Sequence, residues 1–262
     1  MKYAVNKMTR LAQTSLFLLF TFSFAHANDA SQVADLWDAI LEKHHGKGTL
    51  EGIPVALLDY RAIQKDPQWT ELIDALEKAN IPADNTAAKA FWLNAYNILA
   101  VKLVLSEYPV ESIKKVGPWY KQAWDVKAGY VDGKKYSIGH IEHKIIRKMG
   151  DPLVHAGIVC ASLSCPNLFP KAYRPENVNN RLEQQMRTFL SKTEKGARFQ
   201  GNTLYVSLIF ELFEEDFEQS HGSVRAFLKE YLPNKLSKRL NEDTDLEYLD
   251  YNWSLNDQAR VQ

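Results

Sequence analysis

Apolar residues recur at helical spacing from 31 to 45, where Ser31 stands as a cap before Val33, Leu36, Trp37, Ile40 and Leu41. The spacing predicts an amphipathic helix. Residues 55–78 carry a similar period, broken at Pro67. From Ala87 to about Tyr108 almost every position is apolar or aromatic, with Thr86 as cap and Pro109 as stop. A helix that is apolar on most of its circumference is buried, so this segment is expected at the centre of the fold.

The period then changes. Trp124 to Tyr136 contains Asp132-Gly133 between short alternating runs, the signature of a two-residue hairpin. Ser137 caps a helix running to about Met149. Asp151-Pro152 precedes a continuous small-apolar run, Val154 to Ala161, which reads as a strand covered on both faces. Asn177 to Leu190 is again an amphipathic helix. Asn202 to Leu208 reads as a strand after the Gly201-Asn202 turn, residues 222–232 as a helix, and Leu246 to Trp253 as an aromatic final strand. Together these elements predict an α+β fold, rich in helix, with a small sheet.

The first 27 residues fall outside that pattern. Lys2, Lys7 and Arg10 precede an apolar stretch from Leu11 to Ala25, and Ala25-His26-Ala27 is a small-x-small cleavage site, so residues 1–27 are expected to be a signal peptide and the mature chain to be periplasmic. The apolar stretch is shorter than the ~20 residues that a spanning helix needs, and no later segment approaches it. Of the 262 residues, 28–262 remain, a length suited to a single domain with a sizeable core. Removing three basic and no acidic residues changes the balance from 32 against 32 to 29 against 32, a net charge of −3 with His neutral. No basic stripe suggests nucleic acid as a partner.

The candidate chemistry lies in residues 155–166: His155, then Cys160, Ala161, Ser162, Leu163, Ser164, Cys165 and Pro166. The chain has no other cysteine. A thiolate is the reactive form, so a catalytic cysteine needs a nearby histidine or a helix N-terminus. Pro166 would open a helix and put Cys165 at its N-cap, where the helix dipole favours negative charge. Cys160, at the end of the expected strand, reads as a small core hydrophobe. Five steps of ~3.3 Å along that strand would hold His155 and Cys160 about 16 Å apart on opposite faces, whereas a fold-back could carry Cys165 to His155. Cys165 is therefore ranked above Cys160 as nucleophile.

A histidine base needs a group that fixes its tautomer. Glu142, lying among apolar positions on the preceding helix, is the candidate orienter, and His143 beside it is a rival base. Asn94 and Asn97 interrupt the apolar helix on nearly one face and must bond to backbone, to a ligand or to a developing oxyanion, with bracing the commoner role. His140, His143 and His155 with a cysteine match no zinc spacing of value, so no metal and no cofactor is expected. The two cysteines are also close enough in sequence for a disulfide, though without the spacing of thioredoxin-like redox motifs.

Several ordered motifs resemble the bacterial domain-of-unknown-function 547 family. They are Phe91-Trp92-Leu93-Asn94-Ala95-Tyr96-Asn97, Tyr136-Ser137-Ile138 with Ile141-Glu142-His143 and Arg147, His155 through Cys160-Ala161-Ser162 to Cys165-Pro166-Asn167-Leu168, and Ala172-Tyr173. Ile209-Phe210, Asp216-Phe217 and the closing run Tyr248 to Asn256 extend the likeness. The resemblance implies a papain-like thiol peptidase with a Cys-His-Glu site, here in permuted order because the cysteines follow the histidine, and a glutathione-type peptide as substrate. The expected function is an exported thiol hydrolase in which Cys165 attacks a small peptide amide, His155 moves the proton and Glu142 orients the imidazole. A helix N-terminus and Asn94 would hold the oxyanion. The alternative is a non-catalytic periplasmic binding or scaffold domain.

Overall fold

A computed structural model describes residues 21–261, with side chains from residue 30 onward. The expected signal peptide, 1–27, thus lies outside the described side chains, and residues 1–20 of it lie outside the described residues. Helix α1 (Thr21–His44) leads into a hairpin of β1 (His45–Leu50) and β2 (Ile53–Leu58). Two further helices follow, α2 (Tyr60–Ile63) and α3 (Pro67–Lys78), the second started by Pro67 after an Asp66 cap. The period break at Pro67 is therefore a helix start.

Helix α4 (Asn85–Leu105) is the predicted central helix, buried at every position from Ala90 to Leu105 except Lys102. Its cap is Asp84 rather than Thr86: the Asp84 carboxylate accepts the Ala87 N–H at 2.9 Å, two residues ahead of the expected start. The predicted hairpin pairs β3 (Lys127–Val131) with β4 (Lys134–Ser137), and both turn residues have positive φ, Asp132 at 50° and Gly133 at 65°. Ser137 caps the next helix as expected. It begins as α5 (Ile138–Ile141), widens to a π-helical turn over Glu142–Ile146, and tightens over Arg147–Met149. The later helices are α6 (Val178–Leu190), α7 (Ile209–Leu212), α8 (Glu214–His221), α9 (Val224–Tyr231) and α10 (Asn234–Arg239).

The fold is α+β and helix-rich, with three small sheets among the described residues where one was expected. The third sheet joins β5 (Ala197–Gln200) antiparallel to β6 (Thr203–Val206), with β7 (Asp245–Tyr248) parallel to β6. The final strand stops at Tyr248, and residues 251–256 leave the sheet. Among the described residues no helix is long and apolar enough to cross a membrane.

The expected strand from Val154 to Ala161 is absent. Asp151 instead caps a short 3-10 helix, Pro152–Ala156, accepting the Leu153 N–H at 3.0 Å, and the chain continues without regular structure to Ser162. The run is buried because it threads past α4 and α6, and side-chain amides satisfy its backbone as a strand neighbour would. Asn97 accepts the Val159 N–H and donates to the Gly157 carbonyl, both at 2.9 Å, while Gln185 donates to the Ala156 carbonyl at 3.2 Å. One large apolar cluster surrounds α4 and a second lies between α6, α8 and α9.

Candidate active site

The cysteine segment is held from several sides before any chemistry is considered. At Ala161 the backbone adopts φ of 63°, a left-handed conformation that costs an alanine ~1 kcal/mol and turns the chain sharply between Cys160 and Ser162. The turn brings Cys165 back against Cys160, with Cα atoms 6.4 Å apart, and the two form a disulfide. On one side residues 252–256 run alongside: Leu163 N–H donates to Ser254, Ser164 N–H to Asn252, and Asn256 N–H to Ala161. Behind the segment Lys195, 2% exposed, donates to the carbonyls of Leu163 and Cys165 and to the Asn167 side chain, at 3.0, 2.7 and 2.8 Å. Burial pulls this ammonium down to about 7, while three acceptors occupy its three protons.

No helix starts at Pro166. Residues 166–173 are irregular, and Asn167 accepts from Ala56 N–H at 3.1 Å as well as from Lys195, so the expected N-cap environment of Cys165 does not exist. Hydrogen bonds surround the sulfur instead. Cys160 N–H donates to Cys165 Sγ at 3.1 Å and the Tyr251 hydroxyl donates to the same sulfur at 3.2 Å.

Cys160, Cys165, His155, Glu142 and His143 all line one cavity of about 530 Å³. Its floor is buried and includes Tyr96, while its rim carries the exposed Lys114, Gln122 and Leu212. Aromatic side chains form one wall. Trp124 meets Trp253 edge-on at 5.5 Å, and Trp253 packs on Tyr251 at 4.4 Å. The lining draws on both apolar clusters, with Tyr96 and Ile158 from one and Ile209 from the other, so the site sits where they meet.

The acid–base groups pair differently from the expected Cys-His-Glu arrangement. His155, 2% exposed, has Nε2 2.8 Å from Asp216 Oδ2, and Arg147 donates to both oxygens of the same carboxylate, at 2.6 and 2.8 Å. The carboxylate on the imidazole is thus Asp216, not Glu142. Burial lowers His155, against the pull of Asp216. Burial raises the Asp216 carboxyl, but the bonds from His155 and Arg147 outweigh it and hold it well below the usual carboxylate range. A carboxylate at Nε2 fixes the proton there and leaves the lone pair on Nδ1. Phe213 stacks on the ring with centroids 4.2 Å apart.

Glu142 begins the π-helical turn and points into the floor, 4% exposed, where its carboxylate accepts from the Tyr96 hydroxyl at 3.0 Å. Burial raises it to about 7, only partly offset by Tyr96 and Arg147. His143, one residue on, lies on the exposed rim, and Arg147 donates to its Nδ1 at 3.1 Å. Burial and the Arg147 charge both lower its affinity for a proton.

Asn94 and Asn97 do not line the cavity. Asn94 exchanges two bonds of 2.9 Å with the Tyr173 backbone, and Asn97 braces residues 157 and 159. Asn94 therefore has no place as the oxyanion donor, because its amide is committed to Tyr173. Among the described residues no group of three or more His, Cys, Asp and Glu side chains is placed to hold a metal ion.

Sequence reasoning gave no role to Asp216, Lys195 or Tyr251. Asp216 is one of three consecutive acids, Glu214 to Asp216, between Phe213 and Phe217, and nothing local marked it out from its neighbours; Lys195 carried no signal either. No curated protein and no solved structure matches the chain. Residues 82–190, which include Glu142, His143, His155 and both cysteines but stop short of Lys195, Asp216 and Tyr251, match the family described as "Protein of unknown function, DUF547", the family that the motifs resemble.

Proposed function

We propose that the chain is an exported thiol hydrolase that cleaves an amide bond in a small peptide, working from the reduced form of the Cys160–Cys165 pair, with a papain-like domain in permuted order. The reading is carried by one observation: a cysteine pair, a buried histidine with its own carboxylate and a buried carboxyl titrating near 7 all line the same aromatic-walled cavity. In the dithiol, Cys165 is the nucleophile, since Cys160 N–H and Tyr251 O–H are donors already aimed at its sulfur. Its proton passes to His155, the thiolate attacks the amide carbonyl, and the imidazolium returns the proton to the leaving amine. Water then hydrolyses the thioester, with His155 again as base. Asp216 takes the orienting role first given to Glu142. The protonated Glu142 carboxyl and the Tyr251 hydroxyl are the donors on offer for the oxyanion.

The disulfide favours a second reading, the non-catalytic binding domain, in which the bridge is only a staple. Turnover of a panel of short peptides before and after mild reduction separates the two. The hydrolase reading expects turnover only after reduction, its loss in Cys165→Ser, and a fall of roughly a hundredfold in Asp216→Asn as the imidazole loses its fixed tautomer. A reduced, folded chain that neither turns over any peptide nor forms an adduct with a peptide electrophile would leave the binding domain standing.

A further inference from the structure

The two sulfurs of the bridge have unequal surroundings. Cys165 Sγ receives a backbone N–H and a phenolic O–H, at 3.1 and 3.2 Å. Cys160 Sγ lies 3.2 Å from Ser162 Oγ and 3.7 Å from the Tyr251 hydroxyl. Ser162 and Tyr251 have one hydroxyl proton each, and the Ser162 Oγ stands 3.4 Å from the Tyr251 oxygen in donor geometry. With Ser162 donating to Tyr251, and Tyr251 to Cys165, the hydroxyl chain ends on Cys165 and leaves Cys160 without a donor from it. Access runs the same way. Both cysteines line the cavity, but Cys160 is 8% exposed and Cys165 3%.

We infer that the Cys160–Cys165 bridge is redox-active toward small thiols and exchanges in one direction, by attack on Cys160 with Cys165 as the leaving thiolate. Exchange is fastest where the attacked sulfur is accessible and the departing thiolate is stabilised, and the two requirements fall on different members of this pair. In the first step a small thiolate bonds to Cys160 Sγ, the S–S bond breaks, and its electron pair stays on Cys165. The products are a mixed disulfide on Cys160 and a Cys165 thiolate held by Cys160 N–H and Tyr251 O–H. In the second step another thiolate attacks the small-molecule sulfur of the mixed disulfide, releasing a symmetrical disulfide and the Cys160 thiolate. Two thiols are oxidised to one disulfide, and the protein disulfide is reduced to two thiols. The inference rests on the arrangement of donors about the bridge and does not require that the site hydrolyse peptides.

The test uses the oxidised full chain under native conditions with 2-mercaptoethanol as the probe. Samples are quenched in acid at short times, alkylated with N-ethylmaleimide and mapped by peptide mass spectrometry. The expected early species carries mercaptoethanol on Cys160 and maleimide on Cys165. Tyr251→Phe, which keeps the ring packing on Trp253 and removes the proton, should slow opening roughly tenfold and make the adduct less selective for Cys160. In the single variants, Cys165 left alone by Cys160→Ser should alkylate faster at neutral pH than Cys160 left alone by Cys165→Ser. The proposal is overturned by an adduct chiefly on Cys165, by an even split between the sulfurs, or by a bridge that opens only when the chain is unfolded with urea. Peptide turnover, measured separately on the reduced chain, reports on the hydrolase alone: exchange without turnover sinks that reading and leaves this one intact.

Discussion

Glu142 is the residue whose protonation is most exposed to test. Its carboxyl has one hydrogen-bond donor, the Tyr96 hydroxyl, and almost no water, so the ionised form is poorly served and burial raises it from 4.5 to about 7. Folding therefore tightens proton binding at this position. The associated stability is complete below about pH 4.5 and is lost as pH rises through about 7. On that arithmetic Glu142→Gln, which keeps an acceptor for Tyr96 and cannot ionise, should stabilise the chain relative to wild type by up to about 3 kcal/mol at pH 8 and by much less at pH 4. Urea unfolding of both proteins at the two pH values measures the difference. A gap that does not change with pH would show that the carboxyl is not titrating in this range. Ala161 offers a second check at the same scale. Its φ of 63° disfavours side chains branched at Cβ, so Ala161→Val should cost about 2 kcal/mol, while Ala161→Gly should stay within about 1 kcal/mol of wild type.

At the scale of elements, the segment from Gly157 to Asn167 behaves as one piece although it contains no helix or strand. Asn97 holds its first part, Lys195 its last, and residues 252–256 its outer side. Removing one brace leaves buried backbone groups unpaired. Asn97→Ala should cost about 2–4 kcal/mol, because the Val159 N–H and the Gly157 carbonyl both lose their partner. Lys195→Met keeps the apolar stem, orphans the Leu163 and Cys165 carbonyls and should cost a similar amount, read as a shift of the denaturant midpoint. These braces also explain which elements could be read from the chain. The helices from Asn85 and Ile138 carry side-chain caps, the helix from Val178 carries its apolar period and the hairpin carries Asp132-Gly133; the three helices start within two residues of where the pattern predicts. The Val154–Ala161 run shows only that it is buried, and burial does not distinguish a strand from a threaded segment whose partners are side-chain amides 29 to 62 residues away. The site divides in the same way. Cysteines and histidines announced themselves by type, and all five candidate catalytic residues face one cavity. The pairing of His155 with Asp216 depends on α8 folding back over 61 positions, which no local pattern encodes.

For the whole molecule, the export reading makes a prediction independent of the cavity. If residues 1–27 are a leader, N-terminal sequencing of periplasmic material should begin at Asn28, within a residue or two. Intact Met1 in that fraction would end the cleavage proposal, and a chain confined to the cytoplasmic fraction would end the export proposal and, with it, the case for an oxidising surrounding that keeps the bridge closed.

The clasp made by residues 251–256 bears on how the molecule comes into being. Both cysteines are five positions apart and can meet as soon as that stretch has emerged, whereas the hydroxyl that distinguishes them arrives 86 residues later in synthesis. A nascent chain can therefore close its bridge before it owns the means to open it selectively. Completion of the 251–256 run then converts an indifferent crosslink into a polarised one, making a later-translated segment a form of proofreading on chemistry laid down earlier. Chains halted before Tyr251 should carry a bridge that thiols attack at either sulfur without preference, and mapping the adducts on such a truncated chain would show whether this late arrival is what gives the site its direction.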